Sequence, residues 1–213
     1  MTTEFNHPDN QLSIERYRAR AAGYDASAQR TMALRLRTIG LLRLQPGDVV
    51  LDVGAGTGLS YEPLLAQVGA DGRVLAFEQS PDMFAIAVQR AAALADARLW
   101  HANAPAETVQ LPEPVDAILF NYVHDISRTP AAIDNILRQA KPGARIAIAG
   151  MKFFPWWTGP LNILAWLKNR PYNARAADLW HPWDLIARRC DGFIMTPTLG
   201  GMSYIAQGTL KRP

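Results

Sequence analysis

Short apolar runs alternate with amphipathic stretches along the middle of the chain. Val49-Val50-Leu51-Asp52-Val53 is a β-branched run of the kind buried in a parallel sheet, and it follows the turn signal Gln45-Pro46-Gly47-Asp48. Comparable runs recur at Arg73 to Phe77, Arg98 to Trp100, Asp116 to Phe120 and Arg145 to Ala149. Helical stretches separate them. One runs from Leu59 to Val68. A second has Ser80 as N-cap and Pro81 at its first position, and continues through Met83, Ile86, Ala87 and Val88. A third opens at Thr129-Pro130 and ends at Lys141-Pro142-Gly143. Two strand-like runs near the end, Phe193-Ile194-Met195 and Met202 to Ala206, are joined by a Gly200-Gly201 turn. The alternation predicts an α/β fold with a doubly wound, mostly parallel sheet of seven strands.

Both flanks of this core have a different character. From Gln11 to Leu44 the pattern is helical and amphipathic, with Met32, Leu34, Leu36, Ile39, Leu41 and Leu42 mostly on one side, and Gly23-Tyr24-Asp25 divides it into two helices. After Gly150 the composition turns aromatic: Trp156, Trp157, Trp166, Trp180 and Trp183 fall between Lys152 and Asp184, among several prolines. The expected organisation is one domain over residues 1–213. Residues 11–44 form an N-terminal helical lid, 45–151 the binding core, 152–190 an insertion at the substrate pocket and 191–213 the terminal strands.

Composition narrows the classes of function. A chain of 213 residues with 49% hydrophobic and 19% charged content suits a globular enzyme rather than a disordered segment. The net charge of +3 comes from scattered arginines without a basic block interleaved with aromatics, so no nucleic-acid partner is expected. Cys190 is the single cysteine, which excludes an intramolecular disulfide and a cysteine zinc cluster, and no metal is expected. The first residues lack the basic and apolar regions of a signal peptide, and no uncharged apolar run reaches spanning length, so the expected location is the cytoplasm.

The richest motif lies directly after the first strand, at Asp52-Val53-Gly54-Ala55-Gly56-Thr57-Gly58. It lacks the Gly-Lys-Ser/Thr ending of a phosphate loop, and the dinucleotide pattern would need glycine at Leu59. A pyrophosphate needs open helix N–H groups, whereas a nucleoside with an amino-acid tail needs glycines so that the backbone can press against it. Asp52 would repel a pyrophosphate and suit an ammonium group.

On these residues the chain resembles the class I (Rossmann-like) S-adenosyl-L-methionine (SAM)-dependent methyltransferases of the small-molecule type, whose first motif is similar to Leu51 through Gly58. The resemblance covers about residues 14 to 150. It implies that Asp52, Gly54, Ala55, Gly56 and Gly58 cradle SAM, and that Glu78 accepts both ribose hydroxyls with Gln79 alongside. It further implies that Met83 lies against the adenine. The family's acidic residue near the adenine amino group is replaced in the stretch Ala102-Asn103-Ala104, where Asn103 can still accept through its side-chain oxygen. Asn121 and Tyr122, at the end of the fourth strand, are implied to line the methionine tail and the methyl group. Tyr24 resembles the Tyr-Asp element of a helix that closes over SAM.

Methyl transfer from a sulfonium is an in-line displacement that mainly needs alignment and a dry site, and a base only for some acceptors. His124 is one candidate base, with Asp125 to orient or charge it; a loop histidine capping the next helix is the competing reading. His181, between Trp180 and Pro182, is the other candidate base. Trp156, Trp157 and Trp180, with Tyr17, are candidate acceptor contacts, although the tryptophans would equally fill a satellite core or rest at a membrane interface. The expected reaction gives S-adenosyl-L-homocysteine and a methylated small aromatic or apolar acceptor, at oxygen, nitrogen or carbon. A phosphatidylethanolamine-type N-methyltransferase with peripheral membrane contact and a non-catalytic SAM-binding protein are the alternatives, and both monomer and homodimer fit.

Overall fold

In the computed structural model, the structure describes residues 14–15, 25, 29–154, 158–169 and 179–212. Its frame is one seven-stranded sheet. In chain order the elements are α1 (Met32–Leu41), β1 (Val49–Val53), α2 (Tyr61–Val68), β2 (Arg73–Glu78), α3 (Pro81–Leu94) and β3 (Leu99–Asn103). There follow β4 (Val115–Asn121), α4 (His124–Ser127), α5 (Pro130–Arg138), β5 (Ala140–Met151), α6 (Pro160–Asn169), α7 (Asp184–Ala187), β6 (Cys190–Thr198) and β7 (Ser203–Leu210).

The strand order is β3-β2-β1-β4-β5-β7-β6. The first five strands are mutually parallel, while β7 runs antiparallel to both of its neighbours. Every residue of β1 is buried, because successive side chains enter opposite layers. Leu51 and Val53 pack with Ile118, Phe120, Ile146 and Ile148 beneath α4, α5 and α7. Val50 packs with Leu119 and Ala147 on the other face, against Ile39 and Leu42 at α1 and Leu64, Leu65 and Val68 of α2. The chain winds from β1 outward to β3 and then crosses back to β4, so the crevice at the carboxyl ends of β1 and β4 is the place such sheets leave open for a ligand.

The elements follow from local sequence with a few adjustments. Ser80 caps α3, its hydroxyl accepting from the Met83 amide at 3.5 Å, and Pro81 occupies the first turn. The helix expected to reach Lys141-Pro142-Gly143 stops at Arg138, and Ala140 already pairs with Val115 across a register shift. Pro142 cannot continue a helix and Gly143 sits at φ +81°, so those residues extend β5 instead. Pro197 is accommodated because β6 is the sheet's edge strand. Of the helices expected between residues 11 and 44, the C-terminal one is described as α1.

Central burial should dominate stability. Ile118→Ala removes a fully buried side chain from β4 and is expected to cost about 2–5 kcal/mol in urea unfolding. Leu36→Ala, at a position 45% exposed on α1, should stay within about 0.5 kcal/mol. Equal losses would contradict this division of the core.

Candidate active site

The site begins where β1 turns into α2. Gly54, Gly56 and Gly58 all have positive φ, at +57°, +61° and +79°. At two of these, space as well as conformation requires glycine: a Cβ on Gly54 would lie 2.8 Å from Val123 Cγ1, and one on Gly58 would lie 2.5 Å from the Tyr61 ring. The Ala55 amide donates to the Phe77 carbonyl at 2.9 Å, which fastens the loop to the tip of β2.

Glu78 completes that attachment. Its Oε2 accepts from the Gly56 amide at 2.9 Å and its Oε1 from the Ser80 amide at 2.7 Å. Burial pushes its carboxyl above the usual range, while the Ser80, Gly56 and Gln79 amides pull it back. Around it lies an open cleft lined by Gly54, Gly56, Gln79, Met83, Asn121 and Tyr122, together with Val123, Asp125 and Ile126.

On the far wall, Asn121 is 4% exposed, and neither its Oδ1 nor its Nδ2 has a hydrogen-bond partner. An unsatisfied buried carboxamide is costly, so this pair of atoms marks where a polar ligand would be received. Tyr122 follows at φ +61°, its amide donating to the Ala149 carbonyl at 2.8 Å. This left-handed residue turns the chain off β4 toward α4, the short helix that carries Asp125 and Ile126 to the cleft.

Several expected site residues stand elsewhere. Asp52, expected to meet an ammonium group, is 1% exposed and does not line the cleft. Its side chain shares the layer of Val50, where Arg35 of α1 and Ser60 lie, and Arg35 donates to the Ser60 hydroxyl at 3.1 Å. Burial raises the Asp52 carboxyl to about 7, against the lowering influence of Arg35 and Ser60. Ala55 and Gly58 belong to the loop but do not face the cleft. Asn103 and Ala104 also lie off it: Asn103 Nδ2 donates to the Glu78 carbonyl at 2.7 Å, and the Ala104 amide donates to the same oxygen at 3.1 Å.

His124 is 8% exposed, and its Nε2 lies 2.9 Å from both the amide nitrogen and the carbonyl oxygen of Met151. One tautomer accepts from the amide and the other donates to the carbonyl, so Nε2 is engaged by the Met151 backbone in either, which competes with a proton-abstracting role. Gly150 permits it, since a Cβ there would lie 2.8 Å from that nitrogen. His181 is exposed; its carbonyl accepts from Arg128 at 3.1 Å and its ring meets Trp183 edge-on. Trp180 stacks edge-on against Phe153 at 5.0 Å. Tyr17, Tyr24, Trp156 and Trp157 lie outside the described residues. Val123 closes the stretch after β4 that was expected to line the methyl end, whereas Ile126 was not expected in the site; its three-residue spacing from Val123 was the available signal. Among the described residues, no group of three or more His, Cys, Asp or Glu side chains is placed to hold a metal ion.

Residues 50–143 match the family model described as a methyltransferase domain. The chain is 34% identical over 113 residues to 2-phytyl-1,4-naphtoquinone methyltransferase of Synechococcus elongatus, covering 50% of this chain and 47% of that protein. It is 32% identical over 147 residues to malonyl-[acyl-carrier protein] O-methyltransferase of Serratia marcescens, covering 68% of this chain and 54% of the relative. The chain thus spans about half the length of these curated relatives. Among solved structures, the N-methyltransferase NodS of Bradyrhizobium japonicum in complex with S-adenosyl-L-homocysteine superposes with a TM-score of 0.57 at 15% identity, over 82% of this chain and 85% of that one. At that identity the likeness is one of fold.

The Asp52 carboxyl gives a pH dependence of known sign. With a folded value of about 7 against an unfolded value near 4, the folded chain holds a proton that the unfolded chain lacks between those limits. Its contribution to stability is therefore present at low pH and lost as pH rises from about 4 to 7. In urea unfolding between pH 5 and 8, wild-type protein should lose stability relative to Asp52→Asn as pH increases. Parallel profiles would show that Asp52 ionises normally in the fold.

Proposed function

We propose, for a chain that carries a class I, Rossmann-like methyltransferase domain, that it binds SAM at the carboxyl ends of β1, β2 and β4 and methylates a small aromatic or apolar acceptor. The observation that carries this reading is the Asn121 carboxamide, buried and unsatisfied across the cleft from the glycine loop. The cleft fits the cofactor in three further respects. Gly54 and Gly56 leave backbone bare where a nucleoside and its amino-acid tail would press. Glu78 keeps acceptor capacity beyond its bonds from the Gly56, Gln79 and Ser80 amides, enough for a ribose hydroxyl. Met83, 1% exposed and bordering the cleft, offers an apolar surface for a base.

When bound, SAM supplies a methyl group on a positively charged sulfonium. The chain's own contribution is alignment and exclusion of water, which convert displacement at that carbon into an effectively intramolecular step. Asn121 and Tyr122 form the wall at the methyl end, and Val123 and Ile126 keep it dry. Asp125 is the acidic side chain that borders this end, and it takes the acceptor's proton where the acceptor must lose one. His124 acts behind it, holding α4 against Met151 through Nε2. Residues 152–190 supply the acceptor side, with Phe153 and Trp180 as aromatic surface.

A lipid acceptor is the second reading. It is favoured by the exposed apolar side chains of α6: Leu161, Ile163, Trp166 and Leu167 are 46%, 61%, 38% and 51% exposed. No helix among the described residues is long and apolar enough to cross a membrane, so such contact would be peripheral.

In isothermal titration, wild-type protein should bind S-adenosyl-L-homocysteine. Asn121→Ala should weaken that binding about tenfold, the effect of losing one buried hydrogen-bonding group, without lowering the melting temperature of the ligand-free protein. Unchanged affinity would remove Asn121 from the site, and absence of wild-type binding would overturn the cofactor reading. Incubation with methyl-labelled SAM and either metabolite fractions or phosphatidylethanolamine vesicles should place label in a small-molecule product identified by mass spectrometry. Label in lipid alone would favour the second reading, and tight binding with no labelled product from either source would reduce the protein to a binding module.

A further inference from the structure

The glycine loop is also gripped from outside the cleft. Thr57, 1% exposed, is held by two charged side chains that are remote from it in sequence. Arg90, on α3, donates from one guanidinium nitrogen to the Thr57 carbonyl at 2.6 Å and from the other to Asp25 Oδ2 at 2.5 Å. The Thr57 hydroxyl donates to Asp25 Oδ1 at 2.6 Å, which closes the ring. Each end of the guanidinium fork and each carboxylate oxygen therefore has a defined partner, an arrangement that fixes direction as well as distance.

We propose that Asp25 and Arg90 are positioning residues for cofactor binding, which lock the glycine loop to α3. The inference rests on the SAM reading above. α3 carries Met83 to the cleft and begins just after Glu78 and Gln79, whereas Thr57 lies between Gly56 and Gly58 in the loop. The clasp thus fixes the loop relative to the helix that carries Met83, two surfaces that both border the cleft. None of Asp25, Thr57 and Arg90 lines the cleft, so the clasp acts on the loop's placement and not through contact with the ligand.

The electrostatics separate this role from a general contribution to folding. The ion-paired side chains of Arg90 and Asp25 are 28% and 40% exposed, and ion pairs so placed add little to global stability. Their main effect is local, because a misplacement of a fraction of an ångström in a binding loop is felt in affinity. Asp25 is the member contributed by the N-terminal region, so this part of the chain takes part in cofactor binding through a residue that does not touch the cofactor.

The test is titration of S-adenosyl-L-homocysteine into the full chain and its Asp25→Ala, Arg90→Ala, doubly substituted and Arg90→Lys variants, with ligand-free thermal unfolding measured alongside. Each alanine variant should bind about tenfold more weakly, and the double variant should be within about threefold of either single one, since both remove the same ring. Arg90→Lys, which keeps the charge, should recover part of the loss, and melting temperatures should move little. Unchanged affinity in both alanine variants, or fully additive losses, would overturn the clasp. If Arg90→Ala does not fold, Arg90→Gln replaces it; wild-type affinity in Arg90→Gln would equally overturn the charge-dependent role. Failure of the wild-type protein to bind would instead remove the cofactor reading on which the clasp depends.

Discussion

The Glu78 carboxylate accepts from the Gly56 amide on one side and the Ser80 amide on the other, and the cleft depends on that bridge. One amide belongs to the loop after β1 and the other to the start of α3, so a single side chain at the tip of β2 ties together the two turns that form most of one wall. The cost is the burial of a carboxyl, which its amide partners offset only in part by hydrogen bonding to the ionised form. Carboxylate oxygens carry more acceptor sites than these amides fill, so under the proposed function the same group holds the loop and receives the ligand.

The opposite wall is arranged by the crossover of the sheet. β4 ends beside β1 at the point where the winding reverses, and the chain must leave it sharply. Tyr122 makes the turn in a left-handed conformation that costs a non-glycine residue about 1–2 kcal/mol. The bond from Tyr122 N–H to Ala149 and the contact of His124 Nε2 with the Met151 backbone hold it there, with Gly150 small enough to admit the imidazole. His124 thus has a structural use that accounts for its burial, while the neighbouring Asp125 faces the cleft.

Two attachments made by arginine side chains stand behind the glycine loop. Arg35 of α1 reaches Ser60 beneath it, and the ring of Asp25, Thr57 and Arg90 closes at its side. The loop is therefore held on faces that do not line the cleft, and the bare backbone of Gly54 and Gly56 is left toward it. Rigid support from outside combined with an open inner face is what a preorganised binding site requires.

The strand-helix alternation and the glycine spacing after β1 determined the sheet and the location of the site, because burial on both faces of a parallel strand and positive φ are local demands that leave marks in the sequence. Glu78 and Asn121 were legible as residues at the cleft for the same reason, each being the polar residue that ends an apolar strand. For Asp52, spacing gives a strand tip without telling which layer its side chain enters. The packing of α1 and α2 decided that it points to Arg35 and Ser60. Tertiary structure alone likewise gave His124 to Met151 and brought Asp25 and Arg90 to Thr57. Contacts between residues 27 to 65 positions apart are set by how the elements pack, and no local pattern encodes them.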